Sequence, residues 1–95
     1  MNIKELHTQT KPVSSTPLFI SDRGNASSIL IMQGEKLREH ITKIPALLIC
    51  VIGEALFENE KDIKETLLPG DYVNIEPMVT HWVTGMQTSQ LILIK

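Results

Sequence analysis

The sequence predicts an all-β sandwich or barrel, on three observations. Short apolar or alternating runs follow one another between clusters of Gly, Pro, Asn, Asp and Ser. Proline falls where long helices would otherwise run, at Pro12, Pro17 and Pro45, and each removes a backbone donor and restrains its predecessor to extended conformations. No stretch carries an apolar stripe wide enough for a stable isolated helix. The best rival, residues 58–68, offers only Ile63, Leu67 and Leu68.

Size and charge narrow the rest. At 95 residues the chain is one small domain, with no room for a second. Nine basic and eleven acidic residues give a formal net charge of −2 with no block of one sign, so neither a nucleic-acid footprint nor a basic membrane surface is present. The expected partners are small molecules or other copies of the chain, with no nucleic acid and no membrane. Cys50 is the single cysteine, which excludes an intramolecular disulfide and fits a reducing compartment. Residues 1–12 lack the apolar core of a signal peptide and no run approaches a membrane span, so a cytoplasmic location is expected.

In chain order, residues 1–17 are polar and rich in Ser, Thr and Pro, and read as an N-terminal arm, with residues 18–95 as the β-barrel domain. His7 in that arm is expected in solvent. Residues 18–20 are a short strand candidate, and residues 21–25 (SDRGN) are turn-formers in which Gly24 or Asn25 suits positive φ. Residues 28–32 read as a strand closed by Gly34, residues 37–42 alternate weakly, and residues 46–52 (ALLICVI) form a strand apolar on both faces. A strand from 55 to 57, a tip at 59–61 and a return over 62–67 make a hairpin. Pro69-Gly70 fits a type II turn, since proline presets φ and glycine accepts positive φ. Residues 72–75 alternate, with Val73 and Ile75 on one face and Tyr72 and Asn74 on the other. Pro77 breaks that strand, residues 81–84 resume it, and residues 91–94 finish as a fully apolar strand. About eight short strands result.

Two long spacings give the fold a sharper name. Gly34, five residues, His40, one residue, Thr42, three residues, Ala46, six residues and Gly53 reproduce the frame G-x5-H-x-H-x3-E-x6-G. Gly70 to His81 reproduces the glycine-to-histidine distance of G-x5-P-x-G-x2-H-x3-N, with Glu76, Met78 and Gly85 at the Pro, Gly and Asn positions and Pro77 one place late. Together they resemble the cupin superfamily over about two thirds of the chain. The resemblance implies a jelly-roll β-barrel with an internal cavity, in which a metal is held by the histidines and glutamate of the first frame and the histidine of the second.

Carried over residue by residue, only His40 and His81 survive as ligands, because Thr42 and Ala46 replace the second imidazole and the carboxylate. Residues 40, 42, 46, 48 and 50 share parity, so a cavity seen by His40 is also lined by Thr42, Ala46, Leu48 and Cys50, facing His81. That lining is mostly apolar. Cys50 lies about 13 Å beyond Ala46 along an extended strand, too far to stand in for the carboxylate, and reads as a buried core thiol. If the two imidazoles hold a cofactor, it is a divalent transition metal, namely zinc, nickel, iron or copper. Without metal, two neighbouring imidazoles resist protonation and offer a general base, with Tyr72 as a candidate acid by analogy with metal-free sugar epimerases.

Two function classes follow from the resemblance. One is small-molecule binding or sensing in an apolar cavity containing His40 and His81. The other is a metal-dependent enzyme of oxygenase or isomerase type using an incomplete two-histidine site. Strands apolar on both faces at residues 29–32, 46–52 and 91–94 point to a homodimer, with sheets or N-terminal arms packing across the interface. Trp82 is expected on the face opposite His81, Glu76 in solvent, Asp71 in a turn, and Met78 at the mouth of the cavity.

Overall fold

The computed structural model describes residues 1–8 and 10–95. After a single 3-10 turn at Ile3–Glu5 come nine strands: β1 Val13–Ser21, β2 Gly24–Ile31, β3 Lys36–His40, β4 Ala46–Ile52, β5 Ala55–Asn59, β6 Lys64–Leu67, β7 Tyr72–Ile75, β8 His81–Gly85 and β9 Ser89–Ile94. Every pairing between them is antiparallel. One sheet has the order β1-β2-β9-β4-β7 and the other β3-β8-β5-β6, so neighbours in space are mostly distant in sequence, as in a jelly roll.

Alternation builds the core. Ala46, Leu48 and Cys50 of β4, Ala55 and Phe57 of β5, Ile29 and Ile31 of β2, and Val83 of β8 point into one buried cluster between the sheets. The outer face of β4 is less covered than its composition suggests: Leu47 and Ile49 are half-buried and Val51 is exposed. Burial on both sides, expected for this strand, is therefore not met within one chain.

The outer face of β2 is covered from within. Ser28 and Leu30 alternate with the inward Ile29 and Ile31, yet both are buried. His7 bridges the hydroxyls of Ser14 on β1 and Ser28 on β2 at 2.7 and 2.9 Å. This corrects the expectation of a solvent-exposed His7: the N-terminal segment lies on the sheet. Strand β1 also begins at Val13 and not at 18, running through Pro17. Proline is tolerated there because β1 is a sheet edge, where a missing N–H breaks no second ladder.

Turn chemistry decides several boundaries. The Asp71 N–H donates to the Leu68 carbonyl at 2.8 Å and Gly70 has φ +94°, the type II geometry expected of Leu68-Pro69-Gly70-Asp71. Asp71 also accepts the Leu68 N–H on its carboxylate at 2.9 Å. Gly24 serves differently from the expectation: positive φ is confined to other residues, and a Cβ here would lie 2.9 Å from the Lys95 carbonyl oxygen. Close approach of the last strand, not backbone handedness, requires that glycine.

Candidate functional site

The site grows from an irregularity in β3. Leu37 pairs with Val83 and His40 pairs with His81, so three steps along β3 match two along β8. The extra residue is a β-bulge at Arg38–Glu39. In a regular ladder His40 would face away from Leu37; the bulge turns both toward the interior. His81 needs no such device, since it alternates inward with Val83 and Gly85.

The two imidazoles meet edge to face, with ring centroids 4.1 Å apart and planes at 61°. His81 is 2 % exposed and stacks on Phe57 at 5.7 Å and 27°, whereas His40 is half-buried. His40 Nδ1–H donates to the Arg38 carbonyl at 2.8 Å, and His81 Nδ1–H donates to the Val79 carbonyl at 3.2 Å. Burial pushes the His81 pKa down, with the positive charges of His40 and Lys95 acting in the same direction and the Val79 carbonyl opposing them.

Thr42 and Met78 close this end of the sandwich. The Met78 N–H donates to the Thr42 carbonyl at 2.8 Å. Met78 is exposed and held at φ +64°, a conformation that costs an L-residue energy and concentrates at functional sites. Thr42 is 4 % exposed and its Oγ1 has no hydrogen-bond partner among the described residues.

The rest of the expected pocket is packing. Ala46, Leu48 and Cys50 are 6, 2 and 0 % exposed, so almost no water-sized space touches them. The apolar cavity expected along this strand is filled, a correction to the sequence reading. Burial raises the Cys50 pKa, the Asp71 charge adds to that, and a backbone hydrogen bond from Ile52 opposes it, so the buried thiol stays protonated as a core group. The open space lies elsewhere: a groove of about 610 Å³ between the start of β1 and β3 is lined by Pro12, Val13 and residues 35–40, including His40. A second, of about 580 Å³, takes in Thr42 beside the 21–25 turn. Tyr72 is 63 % exposed on β7, at the edge of the other sheet, which removes it as an acid for the pair.

Other residues fall where expected. Trp82 points outward and Lys36 Nζ lies 5.5 Å from its ring centre. Glu76 is on the surface, paired with Lys61 at 2.9 Å. Sequence reasoning missed Phe57 beneath His81, the two carbonyls that anchor the rings, and the bulge. Only the apolar character of residue 57 was visible beforehand.

The donor set does not fit a resident metal. Among the described residues no group of three His, Cys, Asp or Glu side chains converges. Two neutral nitrogens with no anionic donor fall short of the three protein ligands usual in catalytic sites. Two imidazoles sharing one tetrahedral ion through Nε2 hold their ring centroids roughly 5 Å apart, whereas these lie 4.1 Å apart.

No protein-family model and no curated protein sequence matches the chain. Solved structures do. A cupin superfamily protein from Desulfitobacterium hafniense superposes with a TM-score of 0.85 at 24 % identity, over 98 % of this chain and 84 % of that one. A conserved protein of unknown function from Streptococcus pyogenes gives 0.84 at 13 % identity, over 99 % and 82 %. An RmlC-like cupin with a double-stranded β-helix fold from Methanocaldococcus jannaschii gives 0.80 at 17 % identity, over 96 % and 85 %. The chain has the cupin fold, the double-stranded β-helix form of the jelly roll.

Proposed function

We propose that this cupin-fold chain binds or senses a small molecule, and that its ligand is held by His40 and His81 at one end of the sandwich. The observation that carries the reading is the pair itself: two cross-strand imidazoles, each fixed by its Nδ1–H on a backbone carbonyl, each with Nε2 left for a ligand. The buried, partnerless hydroxyl of Thr42 and the left-handed Met78 beside them add to it, because such costs persist where a site requires them. The groove lined by His40 gives access to that ring.

A ligand-induced thermal-shift screen tests this, run beside a His40→Ala, His81→Ala double variant and with elemental analysis of both proteins. Stabilisation that the double variant loses supports binding at the pair. Stabilisation that survives in the variant overturns it, and stoichiometric metal lost in the variant replaces it with the metal-dependent enzyme.

We also propose a homodimer. Edge strand β1 carries no charged side chain and exposes Leu18, Phe19 and Ile20 in succession, an edge without the charges that normally block pairing. Light scattering showing a monomer at micromolar concentration would sink this assignment.

A further inference from the structure

The histidine pair also defines the polarity of what it binds, an inference that rests on the binding role proposed above. A neutral imidazole has one donor and one acceptor nitrogen. At both rings the donor is spent: a carbonyl oxygen can only accept, so the contacts with Arg38 O and Val79 O require the hydrogen on Nδ1. Each Nε2 is left as a lone pair. The two contacts arise independently, one from the β3 bulge and one from the loop before β8, and they select the same tautomer.

The neighbourhood decides the charge of the ligand. At contact distance two adjacent lone pairs repel the oxygens of a carboxylate or phosphate, which need donors. Neither neutral ring supplies an anionic partner for a cationic ligand. A metal ion is excluded as a resident by the donor set and the 4.1 Å ring separation. Phe57 stacks on the His81 ring, and Leu37 lines the groove beside His40.

We propose that the site takes a neutral compound presenting two adjacent O–H or N–H donors, one to each Nε2, as the hydroxyls of a vicinal diol do. His40 and His81 act as a twin acceptor, and the backbone carbonyls behind them are what fixes that role.

Ring-nitrogen NMR of the unsubstituted protein at pH 8 tests this, with cis-1,2-cyclohexanediol, acetate and inorganic phosphate as probes. Both histidines should show a protonated Nδ1 and a bare Nε2. The diol should move both Nε2 resonances in a saturable way, and the two anions at equal concentration should not. Finding either ring in the Nε2–H form overturns the proposal. Anions moving these resonances where the diol does not overturns the ligand class and leaves the binding role standing. No probe of either kind moving them overturns the class, and a screen without any shift that depends on the two histidines overturns the binding role as well.

Discussion

His40 and His81 are register partners across β3 and β8 only because β3 carries one residue more than β8 between this pair and Leu37–Val83. The bulge that supplies the extra residue also supplies the Arg38 carbonyl that anchors the His40 ring. Orientation and tautomer at His40 thus share one backbone cause. His81, buried against Phe57, is held by a separate one.

Burial of His81 makes stability depend on pH. Its folded pKa is lowered, by desolvation first and then by His40 and Lys95, so the unfolded chain takes up the proton more readily. Stability is full above the ordinary histidine value of about 6.5. It declines as pH falls from there to the lowered folded value, and then levels off. Urea unfolding from pH 7.5 to pH 5 should show that loss, and His81→Gln should flatten it in part. His7 is lowered by burial too and leaves a remaining slope of the same sign. An unchanged slope in His81→Gln would refute the assignment.

Thr42 is a direct test of cost against use. Its hydroxyl is buried without a partner, and such a group costs on the order of 1–3 kcal/mol. Thr42→Val removes the hydroxyl with little change in shape, and should stabilise the free protein by about 1 kcal/mol in urea unfolding. A loss of stability would mean that the hydroxyl is satisfied in solution.

What the sequence disclosed follows the physics of each signal. Residues 46–52 and 72–75 were legible as strands to the residue, because apolar periodicity and flanking Gly and Pro are local. The type II turn at Pro69-Gly70 was legible for the same reason. Nothing local announces the bulge at Arg38–Glu39, which contains no glycine, or the meeting of His7 with Ser28, twenty-one positions away. The spacing of the two frames singled out His40 and His81, which the fold brings together. The apolar lining attached to it could not be told from core, since Leu48 and Cys50 look the same in sequence whether they face a cavity or Phe57.

Gly34 and Gly53, the two ends of the first frame, should respond differently to alanine. Both have positive φ, +81° and +91°, which costs an L-residue roughly 1–2 kcal/mol. At Gly34 a Cβ meets nothing within 4 Å, whereas at Gly53 it would lie 2.5 Å from the Thr88 carbonyl oxygen and 2.6 Å from Ser89 Oγ. Ser89 cannot yield cheaply: it is buried and bonded to Glu54 and Gln87. Gly34→Ala should lower unfolding stability by about 1 kcal/mol and Gly53→Ala by more than ~3 kcal/mol. Equal losses would show that the contact at Gly53 is not a constraint.

The N-terminal segment hangs on His7. Its two ring nitrogens engage Ser14 and Ser28, one as donor and one as acceptor, and Ser28 is completely buried beneath it. Burial lowers its pKa. His7→Ala removes both hydrogen bonds, at about 1 kcal/mol each, and uncovers Ser28 and Leu30. The sheet itself is held by the β2–β9 ladder and persists. Lys11 precedes Pro12 and resists trypsin, so limited digestion should cut after Lys4 several-fold faster in the variant, with the remainder of the chain intact. Equal cutting rates in the two proteins would show that another contact holds the segment down.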